Sequence, residues 1–220
     1  MIKLIIFDMD GLMFDTERLS NTCWLEVCHS YDYNVPEALL NETKGATVQF
    51  AREKYNGFFG EEFPFNELYQ KKADRMRNYI KKYGVPQKRG LASCLEWAKE
   101  KGMYLALASS SCRDSIDFYL DKTNLSDAFN LVVSGDQVEA GKPHPEIFQT
   151  CCANCGVEAG QTLVLEDSYN GILAANRAGI KVVWIPDIAI VPDEGKKLIY
   201  RQIPDLTFIP QFVEAELSLL

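Results

Sequence analysis

Asp8 and Asp10 stand one residue apart at the end of an apolar run, Ile2–Phe7, and Gly11 follows them. A second acidic pair, Glu166 and Asp167, closes the run Thr162–Leu165. Hydroxyls follow two further runs: Ser109, Ser110 and Ser111 after Tyr104–Ala108, and Ser134 after Leu131–Val133. Brought together, these carboxylates repel, because two like charges at about 4 Å cost roughly 1 to 4 kcal/mol, depending on the local dielectric. A hard divalent cation relieves that repulsion. An all-oxygen donor set suits Mg²⁺, which commonly takes one or two carboxylates with water and substrate phosphate. With such an ion, the charge of a phosphate ester is offset enough for a carboxylate to attack it. Asp8 is placed to be that nucleophile. Asp10 is placed to protonate the leaving oxygen and then to deprotonate the attacking water. Ser109 can donate hydrogen bonds to phosphate oxygens. Lys142, in Gly-Lys-Pro-His-Pro, offers a positive charge to the nucleophile and the transferring group.

Elements far apart in sequence must position these groups. Short, continuously apolar runs fit strands covered on both faces, as in a parallel sheet. Between them lie helical patterns: Leu91, Cys94, Leu95 and Ala98 share one face, and Ser168–Ala178 reads as a helix closed by Gly179. Lys181–Ile185 gives a fifth strand stopped by Pro186, and Asp205–Ile209 a short sixth. Strands alternating with helices imply an α/β fold, a doubly wound, Rossmann-like parallel sheet. The first two strands are separated by about ninety residues, far more than a crossover needs. That interval is helical, with apolar faces at Leu19, Cys23, Val27 and Tyr31 and at Tyr69, Ala73, Met76, Ile80 and Tyr83. The expected organisation is an α/β core of residues 1–15 and 83–220 with an α-helical insert over 16–82. In open α/β sheets ligands sit beyond the carboxyl ends of the strands, where all these polar clusters fall.

Four motifs in order carry a resemblance: FDMDG (Phe7–Gly11), LASSS (Leu107–Ser111), GKPHPEIF (Gly141–Phe148) and LEDSYNGILAA (Leu165–Ala175). The chain resembles haloacid-dehalogenase-superfamily phosphatases, in the branch that includes β-phosphoglucomutase and phosphoglycolate phosphatase. The resemblance implies that Asp8 is nucleophile and metal ligand, and that Asp10 is general acid/base with its carbonyl also on the metal. It implies that Ser109 binds the phosphoryl group, helped by the backbone around Gly11 and Ser110, and that Lys142 is the stabilising lysine. Asp167 would be the metal carboxylate, with Glu166 on the metal directly or supporting Asp167 through water. The helical insert would be a cap that closes over the site and sets specificity. Two departures separate this chain from the mutase: Ser20 stands where the mutase has a His, and Lys44-Gly45 is followed by Ala46, Thr47 and Val48 rather than a phosphate-gripping Arg. Arg52, one turn on, is the available substitute. Hydrolysis of a small phosphorylated metabolite, such as a sugar phosphate, is therefore favoured over phosphosugar mutase activity. A phospho-aspartate regulatory module uses a similar acidic set, but Asp10 beside the acylphosphate would hasten its loss.

Composition bounds the remaining possibilities. At 220 residues, 47% hydrophobic and 25% charged, the chain can bury a core. A net charge of −8 with no Lys/Arg-rich run argues against nucleic acid. No run reaches the roughly 18 apolar residues of a membrane span, and no leader pattern opens the chain. Seven cysteines without an export signal suit reduced thiols in the cytoplasm. Cys152-x-x-Cys155 is compatible with a redox pair or half a zinc site. It shares a helical face with Ile147, Phe148 and Cys151, however, which favours packing. A monomer is the expectation. Plainer readings exist for each motif: a turn at Asp8–Gly11, a helix cap within Ser109–Ser111, a loop lysine at Lys142 and a loop residue at His144. Trp24, Trp97 and Trp184, with the cluster Tyr55, Phe58, Phe59, Phe63 and Phe65, read as core.

Overall fold

A computed structural model describes residues 1–43 and 48–217. The chain divides into two compact units, Met1–Asp15 with Val85–Leu220, and Thr16–Gly84. The boundary expected between residues 82 and 83 falls inside a helix that runs through Tyr83 and is ended by Gly84, whose φ is +82°.

The first unit holds strands β1 (Leu4–Phe7), β2 (Tyr104–Ser109), β3 (Leu131–Ser134), β4 (Thr162–Glu166), β5 (Lys181–Trp184) and β6 (Arg201–Gln202). They form one parallel sheet in the order β3-β2-β1-β4-β5-β6. β1 is central because its four residues, Leu-Ile-Ile-Phe, are buried on both faces. Its register sets Phe7 beside Leu107 and Leu165, which brings the carboxyl ends of β1, β2 and β4 level. The strand order reverses there, the place where doubly wound sheets bind ligands.

The helices of this unit are α5 (Leu91–Glu100), α6 (Arg113–Thr123), α7 (Glu146–Cys155), α8 (Tyr169–Arg177), α9 (Asp193–Lys196) and α10 (Ile209–Leu217). Ile147, Phe148 and Cys151 of α7 and Ile172, Ala174 and Ala175 of α8 form one core cluster with Leu4, Ile6, Ala106, Ala108 and Val164. Alternate strand positions Ile5, Leu105, Leu107 and Leu163 face the other side and are buried too. Fully burying one such side chain contributes about 1.5–3 kcal/mol, so this two-faced packing is what holds the strand ends in register. Cys152 and Cys155 pack against the α7 cluster, and all seven cysteines are free thiols.

The expected sixth strand, Asp205–Ile209, is not a strand. Asp205 caps a 3₁₀ turn, Leu206–Phe208, by accepting the Thr207 N–H at 2.9 Å, and α10 follows at once. The real sixth strand is two exposed residues without apolar pattern. Entry to and return from the insert are stitched together. The Asp15 N–H donates to the Pro86 carbonyl, the Lys88 N–H donates to the Met13 carbonyl, both at 2.8 Å, and Phe14 bridges Gln87 antiparallel.

The second unit contains α1 (Thr16–His29), α2 (Glu37–Thr43), α3 (Val48–Phe59) and α4 (Phe65–Tyr83), with α1 packed on α4. Its core is aromatic. Trp24, Tyr55, Phe63 and Phe65 are buried together, with Tyr33 and Phe59 packed around them, while Phe58 points outward at 57% exposure, contrary to its reading as core. Among the described residues, no helix is long and apolar enough to cross a membrane.

Candidate active site

The chain leaves β1 through a tight loop. The Asp8 N–H still donates to the Leu165 carbonyl at 3.1 Å, extending the ladder one residue past the strand. The Met13 and Phe14 N–H groups then return to the Met9 carbonyl at 2.9 and 3.1 Å. Gly11 turns this loop with φ +87°, a backbone region that suits glycine. A side chain there is excluded twice over, since a Cβ would lie 2.2 Å from the Asp167 carboxylate. The carboxylate following β4 therefore rests against the backbone of the loop following β1. Asp8 and Asp167 are both buried, and Asp10 is half-buried.

Lys142 enters from the loop before α7. Its ammonium donates to Asp8 Oδ1 at 2.5 Å, to Glu166 Oε1 at 2.8 Å and to the Ala108 carbonyl at 3.1 Å. Its side chain is only 4% exposed, so the reading of an exposed loop lysine is excluded. Burial disfavours its charge, but Asp8 and Glu166 outweigh that and hold its pKa above the ordinary lysine value. Burial is also the largest influence on Asp8. It pushes that carboxyl up to about 8, against the pull of Lys142 and with the repulsion of Glu166 and Asp10 behind it.

Both Glu166 oxygens are engaged inside the protein. Oε1 accepts from Lys142, while Oε2 accepts the Ser168 N–H at 2.7 Å and the Ser168 hydroxyl at 2.9 Å. Ser168 in turn caps α8 by accepting the Gly171 N–H at 3.1 Å. Gly171 has no room for a side chain, because a Cβ would fall 1.6 Å from Glu166 Oε1.

Beyond β2, Ser109 is buried and its hydroxyl accepts the Ser111 N–H at 3.1 Å, which leaves its own O–H to donate. Ser110 is exposed, and its carbonyl lies against Gly135, where a Cβ would approach it to 2.3 Å. The Ser111 hydroxyl donates to Asp10 Oδ2 at 2.9 Å. Sequence reasoning grouped Ser111 with its neighbours and gave Ser168 and Gly171 no chemical role. A glycine inside a helical run costs about 1 kcal/mol relative to alanine, and that cost at Gly171 was the available signal. His144 is an exposed loop residue.

The donor chemistry fits a magnesium-type ion. Among the described residues, no group of three or more His, Cys, Asp or Glu forms a ready-made cage. Two carboxylates and a backbone carbonyl suit an ion that completes its shell with water and phosphate oxygen. Asp8, whose burial one lysine does not offset, is the group such a charge would favour in its ionised form.

Comparison with known proteins identifies the family. The family described as haloacid dehalogenase-like hydrolase matches residues 5–185. A phosphorylated carbohydrates phosphatase of Thermotoga maritima is 30% identical over 208 residues, covering 90% of each chain. Hexitol phosphatase B of Escherichia coli is 28% identical over 192 residues, covering 84% of each. Among solved structures, β-phosphoglucomutase of Clostridium difficile superposes with a TM-score of 0.79 at 20% identity, covering 100% of this chain and 98% of that one. With the match spanning every strand that carries a site residue, the chain belongs to the haloacid dehalogenase-like hydrolase family, among its phosphoric monoester hydrolases.

Proposed function

We propose that the protein hydrolyses a small phosphorylated metabolite in two steps through an aspartyl-phosphate on Asp8. The carrying observation is the convergence of Lys142, Asp8 and Glu166 within hydrogen-bond distance at the carboxyl ends of β1 and β4. In the first step an Asp8 carboxylate oxygen bonds to phosphorus and the bond from phosphorus to the ester oxygen breaks. Asp10, entering protonated, gives its proton to that oxygen, which leaves as an alcohol. In the second step Asp10 removes a proton from water. The hydroxide formed attacks phosphorus, the acyl-phosphate bond breaks, and inorganic phosphate leaves Asp8 free.

Lys142 aims Asp8 and carries a fixed positive charge for the phosphoryl oxygens, and burial makes that charge count for more than it would in water. Ser109 donates to a phosphoryl oxygen, with Ser110 offering a backbone N–H group; the Gly11 N–H already donates to the Phe14 carbonyl at 2.9 Å, so Gly11 serves by turning the loop. Glu166 holds Lys142 rather than a metal, since both of its oxygens are already occupied. Mg²⁺, held by Asp8, Asp167 and the Asp10 carbonyl, would neutralise phosphate charge and steady the ester for in-line attack. We infer further that the helical insert selects the alcohol half of the ester. Hydrolysis rather than isomerisation is supported by the lack of a mutase-like His at Ser20 and by the exposure of Arg52. The other mutase comparison, at Lys44–Thr47, lies outside the described residues.

The test is release of phosphate from p-nitrophenyl phosphate with Mg²⁺. Turnover is expected to stop with Asp8→Asn or a chelator and to return when Mg²⁺ is restored to the parent protein. Undiminished turnover by Asp8→Asn would exclude this mechanism.

A further inference from the structure

A second buried ionic group of the α/β unit takes no part in the chemistry above. Lys88 Nζ donates to Asp187 Oδ1 at 2.7 Å, and Asp15 Oδ1 lies 4.0 Å from the same ammonium. All three residues belong to one compact unit. The Asp187 side chain is only 1% exposed and that of Lys88 20%. Asp187 follows β5 after Ile185 and Pro186, so it stands at the carboxyl edge of the sheet, the edge that carries Asp8 and Asp167. A carboxylate this deeply buried is costly unless a cation reaches it, and Lys88 supplies one across 99 residues of sequence.

What Lys88 braces is the loop after β1. Its N–H donates to the Met13 carbonyl at 2.8 Å, and beside it Gln87 bridges Phe14. Phe14, wholly buried, closes the loop from within. Its carbonyl accepts the Gly11 N–H at 2.9 Å, its N–H donates to the Met9 carbonyl at 3.1 Å, and it forms a bridge with Asp10. The loop that carries Asp10 is thus a ring of backbone hydrogen bonds backed by residues 87 and 88. Through its side chain, Lys88 ties that backing to the end of β5, two strands from β1. Asp8 has the Leu165 carbonyl and Lys142 to fix it, whereas the Asp10 end of the loop leans on Phe14 and so on the brace.

We propose that Asp187 and Lys88 are positioning residues for the reaction, an ion pair that braces the segment behind Phe14 and keeps Asp10 aimed at the leaving oxygen. The inference rests on the phosphatase reading above, in which Asp10 protonates that oxygen, and adds two residues that touch no substrate. A reacting group displaced by about 1 Å can lose up to about a hundredfold in rate. Where the displaced group is the general acid, the loss grows as the leaving group becomes poorer.

The experiment measures kcat and KM with Mg²⁺ on p-nitrophenyl phosphate and on phenyl phosphate, whose leaving group is the poorer. The parent protein is compared with Asp187→Asn, Lys88→Met, their combination and Lys88→Arg, each well below its melting temperature as read by circular dichroism. Asp187→Asn, which keeps the shape and removes the charge, is expected to lower kcat about tenfold on phenyl phosphate and about threefold or less on p-nitrophenyl phosphate, with KM nearly unchanged. Lys88→Met should do the same, the combination should lose no more than either alone, and Lys88→Arg should recover most of the loss. If Lys88→Met does not fold, Asp187→Asn and Lys88→Arg decide the matter. A lowered melting temperature with parental kcat would make the pair merely structural and overturn the inference. Equal losses on the two substrates would overturn it too, because the fault would then lie outside Asp10; both results leave the phosphatase reading intact. Failure of the parent protein to turn over either substrate would remove that reading and the inference with it.

Discussion

Lys142 and Lys72 are both cations in polar clusters, yet their surroundings differ. In the α/β unit, Lys142, Asp8 and Glu166 have side chains only 4%, 10% and 1% exposed, and Lys142 holds both carboxylates. In the helical unit, Lys72 and Glu17 are half-buried above aromatic rings. Removing one member of a buried ionic cluster strands the others without water, so such a cluster tolerates little change. A half-buried rim can lose a member at small cost to the fold, because water reaches the groups left behind. The comparison teaches a difference in tolerance: a tightly interlocked ionic cluster in one unit, a more forgiving polar rim in the other.

Tests at four positions of the α/β unit probe its side of that difference, the three read by turnover taken from the largest expected effect to the smallest. Lys142→Met should break the buried cluster outright. We expect kcat to fall by about a thousandfold, with a stability loss of about 3–5 kcal/mol from the stranded carboxylates, read by denaturant titration. Near-normal turnover would mean the α/β unit is as tolerant as the insert. Gly171→Ala touches no substrate, but its methyl must displace Glu166 and so mis-aim Lys142. A fall in kcat of about a hundredfold, with little change in KM, is the expected reading.

Ser111→Ala removes the hydroxyl that holds Asp10. A general acid matters most when the leaving group is poor. The loss should therefore be about tenfold on an alkyl phosphate and smaller on p-nitrophenyl phosphate, with Ser111→Thr restoring the difference. A separate effect, read as stability rather than turnover, concerns pH. Asp8 titrates near 8 when folded without metal and at 3.8 in its unperturbed form. Its ionisation thus opposes folding increasingly as pH rises from about 4 to 8. Metal-free parent protein should melt lower at pH 8 than Asp8→Asn, and the gap should close near pH 4. A gap that does not change with pH would show that Lys142 fully offsets the burial of Asp8.

Much of the α/β unit was legible because its signals are local: an apolar run, then a carboxylate or hydroxyl, repeated at β1, β2, β3 and β4. The roles of Ser111 and Gly171 were not legible, because each depends on a partner reached only through the fold, Asp10 for one and Glu166 for the other. Arg201–Gln202 has too few residues to carry a pattern, and the run Leu206-Thr207-Phe208-Ile209 after Asp205 imitated a strand, whereas the aspartate caps a turn. In the insert, helices could be drawn from their periodicity. The pairing of Ser20 with Lys72, across 52 residues, needs the packing of α1 on α4 and has no sequence signature.

The stitched neck at Met13–Asp15 and Pro86–Lys88 carries a consequence for how such a chain is built. The outgoing and returning segments already pair backbone to backbone, so the two ends of the insert are held together whatever lies between them. An insert can lengthen, shorten or be exchanged while the ring closure it requires stays the same. The neck acts as a socket: a foreign helical bundle grafted between Asp15 and Pro86 would be expected to keep the same backbone pairings and leave the strand order unchanged.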